Sequence, residues 1–184
     1  EVRNEYGVWI GNGGDTTLKS LGDKYTIEKK YLDFLDTSVL YHVEDEYTSN
    51  QKLFVHAGVP LACCEDFNND TLSLDVVHSH AFTWDRDMAK DAYRSAKNPK
   101  FKWGDKFEKI YIGHSPTTNF NPFYKDPQYW GNIWLMDTCS AFTGKLSIMD
   151  IDTEEVWQSK VCRQLYPDEE GRNRLSWNKE KRFG

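Results

Sequence analysis

A mixed α/β (α+β) domain is what this sequence predicts, and three observations carry that expectation. Helical periodicity is confined to short segments that open on capping residues. Between and after them stand short runs rich in β-branched and aromatic residues, bounded by Gly, Asn or Asp. The chain has 184 residues, 39% hydrophobic and 15% aromatic. A chain of that length forms one domain that buries roughly 70% of the surface exposed when unfolded.

Element by element, GNGGDTTLKSLG (11–22) predicts a glycine-rich approach, Asp15 as N-cap, a short helix and Gly22 as its stop. A second helix is expected to open on Thr26, with Glu28 in its first turn. In it Ile27, Tyr31, Leu32 and Leu35 share one face, and the other face is charged. From Val39 the period changes, and VLYHVEDEY and KLFVHAG predict a hairpin across the turn Thr48-Ser49-Asn50-Gln51. Pro60 to Thr83 has no clear period and is expected as a long excursion, which in a compact domain is functional or mobile. A helix should run from about Trp84 to Ala96 and end at Asn98-Pro99, seated by Trp84 as a packing residue. KIYIG, IWLMDT and KLSIMDID are expected as buried strands and EEVWQSKV as one more. PDEEGRNRLSWNKEKRFG is polar and charged, so residues 161–184 are expected as a tail behind a domain over 1–160.

Charge and composition exclude several classes. The formal net charge of −6 carries no Lys/Arg stripe, which argues against nucleic acid. Apolar stretches fall far short of the ~20 residues of a spanning helix, and EVRNEYGVWIG lacks a signal-peptide layout. No membrane is expected. Cys63, Cys64, Cys139 and Cys162 have no CxxC spacing and are read as free thiols of a cytoplasmic protein.

Chemistry is suggested where strands end. His56 closes the apolar run LFVH and is followed by Ala57-Gly58; His114 closes IYIGH and is followed by Ser115-Pro116. Neighbouring strand ends converge, so two such imidazoles are placed like metal ligands at the rim of a sheet. Neutral imidazole suits Mn, Fe, Zn or Ni, each needing further oxygen ligands. His78 and His80, in the excursion, are expected as exposed loop residues.

Four motifs stand in order: V-H-A-G (Val55 to Gly58), W-D-R-D (Trp84 to Asp87), G-H-S-P (Gly113 to Pro116) and the run M-D-T-C-S-A-F-T-G-K-L from Met136. In that order they resemble the calcineurin-like metallophosphoesterases of the Ser/Thr protein phosphatase family. NGGDTTLKSLG and IEKKYLDFL are similar to the segment just downstream of the Asn-His-Glu/Asp motif in its bacterial members. The resemblance spans the chain to about Val156. It implies a β-sandwich of mixed sheets flanked by helices, to which this part contributes mainly one sheet. It also implies hydrolysis of phosphomonoesters, of phosphorylated proteins or small phosphoesters, by attack of a water bound to two divalent metal ions, with manganese the expected ion. His56 and His114 match the two histidines that ligate one metal, and Arg86 matches the arginine that grips phosphate, a role suited to its planar fork.

The chain departs from the family in two places. Asp137 matches the aspartate of the family's D-T-G turn, but Cys139 stands where glycine is usual. The Asp-x-His, Asp-x-x-Asp-Arg and Asn-His-Glu/Asp motifs of the family's first half are absent. The resemblance therefore implies the C-terminal part of a catalytic domain, inactive by itself, whose uncovered sheet face would meet the missing N-terminal half or a second copy. Two alternatives remain open at the level of sequence: a symmetrical dinucleoside tetraphosphate hydrolase, and a non-catalytic binding domain of the same fold.

Overall fold

A computed structural model describes residues 7–21, 28–45, 49–60, 76–141 and 143–167, with the backbone alone at 76–78. The chain divides into two compact units, Glu1–Val39 and Leu40–Gly184.

The N-terminal unit holds α1 (Asp15–Ser20) and α2 (Lys29–Asp36). Ile10–Gly14 forms a widened helical turn, interrupted by Gly13 at φ 102°, where sequence predicts a loop. Gly14 consequently occupies the N-cap position, and Asp15 lies in the first turn, paired with Lys19 at 3.3 Å. α2 starts behind Glu28, whose ψ of 139° is extended; Gly22, Thr26 and Ile27 lie outside the described residues. Tyr31, Leu32, Phe34 and Leu35 all stay exposed, so the apolar spacing of α2 does not mark a buried face.

The second unit is built on a five-stranded mixed sheet, as the fold class anticipates. Its strands are β1 (Tyr41–Glu44), β2 (Lys52–Val55), β3 (Lys109–Ile112), β4 (Gln128–Trp130) and β5 (Ile133–Leu135), in the order β1-β2-β3-β5-β4. β2, β3 and β5 run parallel in the middle, and β1 and β4 pair antiparallel at the edges. Between β2 and β3 the chain crosses over through α3 (Val76–Trp84) and α4 (Asp87–Arg94).

Two corrections arise in that crossover. Residues 76–83 are helical where an excursion is expected, so His78 and His80 sit on a helix; residues 61–75, with Cys63 and Cys64, lie outside the described residues. The helix expected from about Trp84 begins instead at Asp87, because Trp84 ends α3 and Asp85-Arg86 separates the two helices.

Period-2 alternation sorts the strands onto two faces. Leu53, Val55, Ile110, Ile112, Ile133 and Leu135 point to the core, where Phe82 of α3 and Met88, Ala89 and Ala92 of α4 cover them. The reverse face carries stacked aromatics: Phe54 on Tyr111 at 4.8 Å and Tyr129 beside Trp134 at 4.9 Å. β4 is a strand that sequence does not single out. It turns into β5 through Gly131-Asn132, with Gly131 at φ 64° and no room for a side chain against Phe101. Asn132 is buried and ties down the loop before β3: Trp103 N–H donates to its Oδ1 at 2.8 Å, and its Nδ2 donates to the Phe107 carbonyl at 3.0 Å.

A separate antiparallel pair, β6 (Ser147–Met149) and β7 (Val156–Gln158), comes next along the chain. β6 is not buried as expected: a two-stranded ribbon offers one face to the molecule, and Ile148, on the other, is 62% exposed. The loop between them is pinned to the sheet by Lys52–Asp152 at 3.1 Å and Lys109–Glu154 at 2.7 Å. α5 (Cys162–Leu165) closes the described chain, its first N–H bonded to the Gly144 carbonyl at 2.9 Å, so the segment expected as tail begins with an anchored turn. Cys139 and Cys162 are free thiols. Among the described residues, no helix is long and apolar enough to cross a membrane.

Candidate phosphate and metal site

The three parallel strands end at one edge of the sheet, and the residues singled out from sequence lie just beyond them. His56 follows β2, Gly113-His114 follows β3, and Met136-Asp137 follows β5. Backbone bonds carry the ladder past the strands: Gly113 N–H donates to the His56 carbonyl at 2.9 Å and Met136 N–H to the Ile112 carbonyl at 2.8 Å. The His56 and His114 rings are thereby brought to a centroid separation of 5.1 Å, tilted by 55°.

His114 has φ 59°, in the left-handed region that a side chain rarely enters. Ser115 N–H donates back to the Gly113 carbonyl at 2.5 Å, so His114 is the middle residue of a three-residue γ-turn. Such backbone persists only where its surroundings over-determine it, and that is commonest at functional sites. Here the fixing bonds are the ladder on one side and Arg86 on the other. Arg86 Nη1 donates to the His114 carbonyl at 2.9 Å and to Ser115 Oγ at 3.3 Å.

Arg86 reaches that carbonyl because the helix breaks before it. Asp85 N–H makes the last bond of α3, to the Ala81 carbonyl, while Asp85 Oδ2 accepts from Met88 N–H at 3.0 Å and so caps α4. Arg86 is left between the two helices at φ −131°, exposed, with no ion pair among the described residues although it stands between Asp85 and Asp87. Gly58 of V-H-A-G belongs to the same device. A Cβ there would lie 2.6 Å from Asp85 Oδ2 and 3.1 Å from Met88 Cβ.

Asp137 contributes backbone and a turn. Its carbonyl accepts from Thr117 N–H at 2.9 Å, and its Oδ1 accepts from Cys139 N–H at 2.9 Å. Cys139 has φ 68°, so the turn is made as glycine would make it, with a cysteine held in the left-handed region. Gly144 packs under it, where any Cβ would overlap the Thr138 carbonyl oxygen.

Trp84 is expected from sequence as a packing residue that seats the arginine helix. It ends α3, remains 44% exposed and meets the His114 ring edge-on, with centroids 5.5 Å apart. His80, one turn earlier, is exposed and lies alongside the Trp84 indole at 6.3 Å. Ser115, which holds Arg86, is given no site role by sequence reasoning. Its signal is adjacency to His114 in G-H-S-P.

The donor set can be tested against a metal ion. Nitrogens bound at about 2.1 Å, at angles between octahedral and tetrahedral, put two imidazole centroids about 4.5–5.3 Å apart. The observed 5.1 Å fits two ligands of one ion. Among the described residues no group of three or more His, Cys, Asp or Glu gathers where a metal ion could be held. Compared with known protein families and with curated proteins, the sequence matches none.

Proposed function

We propose that this chain carries part of the catalytic domain of a metal-dependent phosphoesterase that hydrolyses phosphomonoesters, with His56 and His114 as ligands of one divalent metal ion and Arg86 as the phosphate-binding residue. One observation carries the reading: an exposed guanidinium without an ion pair among the described residues is fastened to the backbone of a histidine whose ring lies 5.1 Å from a second imidazole. A cation and two neutral metal ligands at the carboxyl ends of parallel strands form a site for an anion and a metal together.

The residues divide the work. Arg86 spends Nη1 on the His114 carbonyl, and its remaining N–H donors carry no bond among the described residues. They suit two oxygens of a phosphate, since the guanidinium fork is planar and always charged. Because the same side chain holds the His114 backbone, gripping phosphate and fixing the turn that carries the imidazole are mechanically one event. His56 and His114 would hold the ion through ring nitrogens carried on rigid strand ends. A bound divalent metal would supply Lewis acidity, lowering the pKa of water and neutralising phosphate charge. The mixed sheet and its crossover helices are compatible with one half of the sandwich that the sequence motifs imply, and the further ligands would come from the other half.

The test is calorimetric titration of inorganic phosphate into the chain with Mn²⁺, beside p-nitrophenyl phosphate turnover. Phosphate binding should require Mn²⁺ and vanish in His56→Ala and His114→Ala. Arg86→Ala should weaken it roughly 10- to 100-fold, the worth of one or two hydrogen bonds to a charged group. Phosphate binding indifferent to Arg86 and to both histidines would refute the reading.

A further inference from the structure

Trp84 is large, apolar and 44% exposed, and it lies outside the core cluster. Its ring partners among the described residues are two imidazoles: His114, met edge-on at 5.5 Å and 85°, and His80, nearly parallel at 6.3 Å and 20°. His80 and Trp84 are i and i+4 on α3, so the helix sets their rings side by side. The contact to His114 falls within the 4.5–7 Å range of favourable edge-to-face pairs.

The γ-turn and the bond to Arg86 fix the backbone of His114, but they do not set the two side-chain torsions that orient its ring. A metal ligand must be held close to its productive orientation, and a ring locked by neighbours meets that need better than one on a fixed backbone alone. Among the described residues the His114 ring has His56, its proposed co-ligand, and Trp84 as aromatic neighbours.

We infer that Trp84, braced by His80, is a positioning residue that clamps the His114 imidazole and so sets how tightly the His56/His114 pair holds a divalent ion. The inference rests on the reading of those histidines as metal ligands. Neither His80 nor Trp84 touches the ion in this scheme; both act through His114.

The experiment uses Ni²⁺ as the probe, titrated calorimetrically into the wild-type chain, Trp84→Ala, Trp84→Phe and His114→Ala. In parallel, the carbon-bound ring protons of His114 are followed by NMR without metal. Trp84→Ala should shift the His114 resonances and weaken Ni²⁺ binding roughly two- to tenfold, the worth of one aromatic ring contact. Trp84→Phe, which keeps an aromatic edge, should restore most of the affinity. Circular dichroism and melting should stay unchanged, because Trp84 is outside the core. Equal Ni²⁺ affinity in wild type and Trp84→Ala, with binding still lost in His114→Ala, overturns the clamp and leaves the metal site standing. Ni²⁺ binding unaffected by His114→Ala overturns the metal reading and the clamp with it. His114 resonances that do not move in Trp84→Ala overturn the clamp by themselves.

Discussion

Gly58 and Asp85 should be energetically coupled, and the coupling can be worked from their geometry. Asp85→Ala removes the cap on Met88 N–H, a loss of about 1 kcal/mol within a range of 0.5–2. Gly58→Ala places a Cβ 2.6 Å from Asp85 Oδ2, so the carboxylate must leave its capping position. Forcing a methyl into a packed position costs about 1–3 kcal/mol. With Asp85 already truncated, the nearest atom to that methyl is Met88 Cβ at 3.1 Å, a contact that a few tenths of an ångström relieve. The double variant should therefore be less destabilised than the sum of the single ones by about 1 kcal/mol, in the direction expected of residues that share a contact. Effects of Gly58→Ala on the unfolded chain cancel in the cycle. Urea unfolding of the four proteins, followed by circular dichroism at equal m values, measures it. Additivity within about 0.4 kcal/mol would refute the argument that Gly58 is glycine in order to admit the Asp85 cap.

Two further predictions concern the frame of the sheet. Asn132→Ala strands Trp103 N–H in a buried place, and should cost about 1–3 kcal/mol, read as a fall of about 2–12 °C in melting temperature. The Asp150 carboxylate accepts N–H groups of Thr153 and Asp152, which hold its pKa below the ordinary carboxylate value. A depressed folded pKa gives stability that is present above the unfolded value and is lost as pH falls through the folded one. Asp150→Asn, a neutral acceptor, should thus melt slightly lower than wild type at neutral pH and show a less steep acid limb below about pH 4, the two proteins converging in acid. An acid limb identical to wild type would refute it.

That His56, His114 and Arg86 would lie close together was more legible in the sequence than the architecture around them. His56 and His114 declare themselves because each ends an apolar run and precedes a tight turn, and strand ends of that kind meet at one edge of a parallel sheet. Arg86 was legible by motif, but its bond to the His114 carbonyl depends on a helix break that periodicity hides. The apolar spacing runs through Asp85, whose carboxylate caps Met88 N–H in space that Gly58, a tertiary partner absent from the local pattern, leaves open. β4 is three residues long, too short for a period, although the two-residue Gly131-Asn132 turn does signal a hairpin. The burial of β6 was misjudged for a related reason: apolar composition does not say how many faces have neighbours. Likewise α2 keeps its apolar spacing and exposes it.

The parallel pairing of β2 with β3 joins residues 57 positions apart, Lys52 opposite Lys109. Closing a loop of that length costs about 3–4 kcal/mol of chain entropy before any strand contact repays it, and pairings of this kind slow folding. His56 and His114 stand at the far ends of these two strands, so the histidine pair exists only once that closure is complete. A ligand that needs both rings therefore binds the folded chain and not its precursors, and each increment of its concentration above the dissociation constant acts as a brake on unfolding.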